Sequence, residues 1–119
     1  MGVYRFEDLR VWQAAQRQCD RVGELMNRPH FRADGELARQ MNDASYSVPF
    51  NISEGFLRRN DREFRQFLRY AAASNGELRA AVHAARGRRY LSDAEARELL
   101  QENDSLAKQI RKLQQSLTR

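Results

Sequence analysis

Residues 47–60 read SVPFNISEGFLRRN. A proline, an Asn-Ile-Ser tripeptide and an arginine pair sit within sequence that otherwise has helical spacing. A modified loop, a phosphate-binding turn and a bent helix would each account for part of it. The apolar phase favours the helix. Met41, Ala44, Val48, Ile52 and Phe56 follow at steps of three and four, so one stripe continues in register across Pro49. Proline inside a helix removes one hydrogen bond, here to the carbonyl of Ser45, and costs about 3 kcal/mol. The expectation is a continuous helix kinked at Pro49, with Ser45, Ser47 or water meeting the freed carbonyl. Glu54, four residues before Arg58, is placed for a helical ion pair rather than for acid catalysis, because no second activating group is evident.

The same periodicity extends along the chain, and strand signals are nearly absent. A first segment over about 7–28 carries Leu9, Trp12, Ala15, Cys19, Val22 and Met26 on one stripe and ends at Pro29 and the PHFRADG stretch. The second, which contains Pro49, starts at Asp34 as N-cap. The third opens at Asn60, with Glu63 three residues later, and runs through Phe64, Phe67, Leu68, Ala71, Leu78, Val82 and Ala85 to Gly87 as terminator. The fourth opens on the capping box Ser92-Asp93-Ala94-Glu95 and carries Leu99, Leu100, Leu106, Ile110, Leu113 and Leu117. Four helices with short connections predict an all-α, antiparallel up-down four-helix bundle, one domain over 1–119. Alanines at 71, 72, 73, 80, 81, 84 and 85 would let the third helix approach its neighbours closely.

Charge is placed unevenly. Residues 58–89 hold nine arginines and three acids, a balance of +6, within a chain of net charge +5. With about 100° per residue, Arg58, Arg62, Arg65 and Arg69 fall within about 60° of one another, and Phe64, Phe67, Leu68 and Ala71 lie opposite. Arg58, Arg59, Arg62, Arg65 and Arg69 are therefore the candidate nucleic-acid-binding residues, contacting phosphates without reading sequence. The competing reading is a solvated face neutralised by Glu95, Glu98, Glu102 and Asp104 of the fourth helix.

Other chemistries find little support. His30 and His83 lie in different segments, and His83 has no metal-ligating partner three or four residues away. The single cysteine, Cys19, sits on an apolar stripe and reads as a core thiol. Walker, dinucleotide-binding and Gly-x-Ser-x-Gly motifs are absent. No enzyme activity, cofactor or small-molecule substrate is expected. The start, MGVYRFEDLR, has no apolar run of signal-peptide length, and no stretch is apolar enough to span a membrane. The expectation is a cytoplasmic protein, in which Asn51-Ile52-Ser53 matches a glycosylation acceptor by chance.

Phe6-Glu7-Asp8-Leu9 followed by Val11-Trp12-Gln13 resembles the FEDL-x-VWQ signature of the four-helix-bundle proteins, also called 23S rRNA intervening-sequence proteins. Val48-Pro49-Phe50-Asn51-Ile52-Ser53-Glu54-Gly55-Phe56 resembles their VSIPxNIAEGF block, with Phe50 where a small residue is usual and Ser53 in place of Ala. Arg58-Arg59, Glu63-Phe64, Phe67-Leu68, Ser74, Glu77-Leu78 and Tyr90-Leu91 follow in the family's order and spacing. The resemblance implies a cytosolic bundle that assembles as a homopentameric ring. Some genes of the family lie inside intervening sequences of ribosomal RNA genes. Distant relatives are accessory proteins of diversity-generating retroelements, which bind a reverse transcriptase and nucleic acid through basic surfaces. No catalytic residues carry over. Two functions stand open: an oligomeric RNA-binding protein, or a structural adaptor whose arginines bind acidic protein surfaces. Asn75 and Gly76 are the oligomer-interface candidates, read against a hydrogen-bonded core Asn and a tolerated surface Gly.

Overall fold

The computed structural model describes residues 3–117 as five α-helices, with no strand among the described residues. A 3-10 turn at Phe6–Asp8 precedes α1 (Arg10–Leu25), α2 (Pro29–Ala33), α3 (Gly35–Leu57), α4 (Asp61–Gly87) and α5 (Asp93–Ser116). The body measures 45 × 20 × 20 Å.

Local chemistry sets the helix starts. Asp34 accepts a hydrogen bond from the Leu37 N–H, Asn60 accepts from Glu63, and Ser92 with Glu95 closes a full capping box. Each satisfies N–H groups that the first turn leaves unpaired. Before α1, Gln13 donates to the Glu7 carbonyl at 2.8 Å, and the Phe6 ring meets Trp12 edge-on. These contacts give the FEDL-x-VWQ stretch its shape.

Two helix ends depart from expectation. Gly87 is helical, and the left-handed residue that stops α4 is Arg89 (φ 63°). Tyr90 N–H donates to the Ala85 carbonyl and Arg89 N–H to Arg86, which is the Schellman pattern with arginine in the glycine position. Arg59 (φ 56°) plays the same part after α3. The first segment also stops at Leu25. Pro29 starts the separate short helix α2, and its Phe31 is fully buried, edge-on to Tyr90.

The interior has two apolar clusters. One joins Val22 and Leu25 of α1, Phe31, Leu37 and Met41 of α3, Leu78 and Val82 of α4, and Leu91 and Leu99. The other joins Val11 and Ala15 of α1, Val48 and Ile52 of α3, Phe64 and Leu68 of α4, and Leu106 and Ile110 of α5. Between them each long helix contributes one buried polar residue: Gln18, Ser45, Asn75 and Asn103. Gln18 donates to Asn75 Oδ1 at 3.0 Å, Asn75 to the Asn103 carbonyl at 3.1 Å, and Asn103 back to Gln18 and Asn75 at 3.0 Å. This network draws Gln18 inward and rotates the α1 stripe, so Val11 and Leu25 are buried while Trp12, Cys19 and Met26 are half-buried at its edge. Burial raises the Cys19 thiol pKa, with a hydrogen bond to Ser45 opposing it, so the thiol stays protonated. Asn75 thus belongs to the interior of the chain and has no surface to offer a second subunit. Gly76 beside it is exposed, with open space around it.

Helix α3 runs unbroken through Pro49, which is buried. Neither serine turns back to the freed carbonyl. Ser45 donates to the Asn42 carbonyl, and Ser47 pairs with Ser74 of α4 at 2.7 Å. Gly55 is the tightest point of the α3–α4 contact. A Cβ there would meet Phe67 Cβ at 2.7 Å and Phe64 Cδ1 at 2.9 Å. Close approach at this point rests on a glycine of α3; of the α4 alanines, Ala71, Ala81 and Ala85 are buried and Ala84 half-buried in the core, whereas Ala72, Ala73 and Ala80 are exposed.

Candidate nucleic-acid interface

The turn from α3 to α4 divides the five candidate arginines. Arg58 is bound to Glu54 at 3.0 Å and Glu63 at 3.4 Å, and its guanidinium lies over the Phe67 ring at 4.9 Å. Arg59 lies over Phe56 at 5.0 Å and donates to the Tyr4 carbonyl at 3.3 Å. Arg65, half-buried, donates to the Leu117 carbonyl at the end of α5, where the helix dipole favours a cation. These three hold the turn and the end of α5 together.

Arg62 and Arg69 differ. Both are exposed, two helical turns apart on one face, or about 10 Å along the axis. Arg69 touches only Gln66, at 3.3 Å, and Arg62 has no polar partner among the described residues. Of the four acids expected to neutralise this face, three are engaged elsewhere, Glu95 with Arg28, Glu98 with Arg21 and Asp104 with Lys108, and exposed Glu102 makes no ion pair among the described residues. The clusters explain why. The N-terminal half of α4 packs beside the C-terminal half of α5, so acids near the start of α5 lie at the far end of the molecule.

The structure adds basic residues that a helical wheel of one helix does not show. On α4, Arg79, His83 and Arg86 line a groove together with Asp93, Ala96, Arg97, Leu100, Gln101 and Asp104 of α5. Arg111 follows Arg97, Leu100 and Asp104 at helical steps of three, four and seven, on the same side of α5, and Ile110 beside it packs with Phe64 and Leu68. Arg111 is exposed and has no ion-pair partner among the described residues. The signal was available in the spacing along α5, but it acquires meaning only once α5 is known to lie beside α4.

The opposite end is tied by charge. Arg28 grips Glu95 through two hydrogen bonds of 3.0 and 2.5 Å, Arg88 reaches Asp34 at 3.5 Å, and Tyr90 donates to Asp34 at 2.9 Å. Arg28, together with the Ser92 N–H, holds the Glu95 carboxyl pKa down at about 2. Its hydrogen bond to Asp34 raises the Tyr90 pKa.

Among the described residues no group of three or more His, Cys, Asp or Glu could hold a metal ion, and no helix is long and apolar enough to cross a membrane. The two histidines lie apart, His30 stacked on Tyr90 and His83 in the α4–α5 groove. No curated protein matches the chain. A model of the 23S rRNA-intervening sequence proteins matches residues 7–112 of 119, from the 3-10 turn before α1 to the last turns of α5. The chain belongs to the 23S rRNA-intervening sequence protein family.

Proposed function

We propose that this chain is a non-enzymatic, cytoplasmic, oligomeric protein that binds RNA without sequence readout, through the arginine face of α4 centred on Arg62 and Arg69. The single observation that carries this reading is that these two exposed arginines share one face and have no acidic partner among the described residues. A positive surface left uncompensated attracts polyanions. Its scaffold is an antiparallel up-down bundle of α1, α3, α4 and α5, an arrangement that the membership of the two apolar clusters supports, with Pro49 inside α3 as the expected kink. Arg58, Arg59 and Arg65 hold the face in shape and add to its potential. The test is binding of a single-stranded RNA across a salt series. Charge reversal at Arg62 and Arg69 together is expected to weaken binding about tenfold and to reduce the log–log salt slope by about 1.4, the share of two phosphate contacts. Equal binding by both proteins, or none by the wild type at low salt, overturns the reading.

The second reading is a structural adaptor whose arginines bind acidic protein surfaces, and self-association, common to both readings, has a surface of its own. Tyr46, Phe50 and Leu57 follow at steps of four and seven along the outside of α3, with Phe50 65% and Leu57 54% exposed. An apolar stripe of this kind marks a contact surface. We assign it, with Gly76, to self-association, the homopentamer being the assembly that the family resemblance implies. Native mass spectrometry of the wild type and of Phe50→Asp decides the matter. A fivefold mass that collapses in the variant is expected, and an unchanged mass removes this stripe from the interface. If charge reversal at Arg62 and Arg69 alters the mass but not RNA binding, the adaptor reading replaces the first.

A further inference from the structure

The groove between the C-terminal half of α4 and the N-terminal half of α5 has a volume of about 620 Å³, within the range of small-ligand sites. Its walls come from two helices, and its charges do not cancel. Asp93 is taken by Arg86 at 3.5 Å and Asp104 by Lys108 at 3.3 Å. Arg79 and Arg97 are exposed, line the groove and have no partner among the described residues. Ala96 is fully buried beneath the groove, and half-buried Leu100 gives the lining its accessible apolar patch. His83, also exposed, offers a ring at the rim.

We infer that this groove binds a nucleotide unit, its phosphate held by Arg79 and Arg97 and its base resting against Leu100. Two guanidinium groups match the fork geometry of phosphate oxygens. The apolar side chain of Leu100 beside them offers a contact for one face of a base. The inference does not rest on the Arg62–Arg69 face, although both lie along α4 and one strand could engage both.

The test uses adenosine 5′-monophosphate and a ten-nucleotide oligoadenylate as probes at 50 mM salt. Amide NMR shifts are followed in wild type, Arg79→Glu/Arg97→Glu and Arg62→Glu/Arg69→Glu. With the wild type, at least one probe is expected to shift residues 79–86 and 96–101. Shifts with the mononucleotide identify a free-nucleotide site, and shifts with the oligonucleotide alone identify a strand site. Arg79→Glu/Arg97→Glu is expected to lose at least tenfold in affinity for that probe while its melting temperature stays within a few degrees. If neither probe shifts the groove, or this variant binds as well as wild type, the inference is overturned. If that happens while Arg62→Glu/Arg69→Glu loses oligonucleotide binding, only the Arg62–Arg69 face survives. The opposite pattern leaves only the groove.

Discussion

On its α3 side, α4 presents Phe64, Phe67 and Ser74, packed so closely that Gly55 opposite has no room for a methyl group. On its outer side it presents Arg62 and Arg69, and toward α5 Arg79, none with an acidic partner among the described residues. Both faces come from one 27-residue helix. The first should answer to volume and hydrogen bonding, because close-packed groups lose contacts when atoms are added or removed. The second should answer to charge and salt, because water already surrounds it. The contrast teaches that arginine-rich sequence is not one property. Arg58, Arg59 and Arg65 belong to the structural side of the divide, although they are neighbours of Arg62 and Arg69 in sequence.

The comparison can be sharpened from the interior outward. The largest effect is expected from Asn75→Ala. It removes the acceptor of the buried Gln18 Nε2 amide and the donor to the Asn103 carbonyl, and should cost about 3 kcal/mol in a urea unfolding experiment. Gly55→Ala comes next. The overlap with Phe64 and Phe67 should outweigh the gain of about 1 kcal/mol in helix propensity, for a net loss of about 1–2 kcal/mol. A neutral Gly55→Ala would break the claim that the α3 side of α4 is closely packed.

At the charged end, Glu95 joins the capping box to Arg28. Its carboxyl pKa is lowered in the folded state from 4.5 to about 2, so its stabilising contribution is complete above about pH 4.5 and is lost as pH falls through about 2. Glu95→Gln should cost about 1 kcal/mol at pH 7 and flatten the pH dependence of unfolding between 4.5 and 2. Arg89→Gly, at a left-handed position, should raise stability by about 1 kcal/mol. The smallest effect belongs to the outer face. Arg62→Ala with Arg69→Ala should change unfolding free energy by about 0.5 kcal/mol or less while weakening RNA binding, and a larger loss of stability would erase the distinction between the two faces of α4.

Much of this was readable from the sequence where the physics is local. The caps at Asp34, Asn60 and Ser92 depend on residues three positions away, and all three form as their spacing indicates. The α3 stripe keeps phase through Pro49, and four of its members, Met41, Ala44, Val48 and Ile52, are buried. Phe31 escaped notice because a short Pro-led turn has no periodicity to read. It becomes core only because Tyr90 and the ends of α1 and α4 surround it. Gly55 was one glycine among six until Phe64 and Phe67 were placed against it.

For the candidate site, composition located the positive segment, but not which of its arginines are free. That depends on where the acids lie. Helix direction carried Glu95 and Glu98 to the opposite end from Arg62 and Arg69, and carried Arg111 toward them. By itself, then, the sequence determined helical class, helix starts, apolar phase and the placement of charge, since each is set by neighbours within about one turn. Tertiary structure alone decided the Gln18–Asn75–Asn103 layer, the Gly55 contact and the division of the arginines. Their partners lie up to 85 residues away along the chain, and only the packing of whole helices brings them within bonding distance.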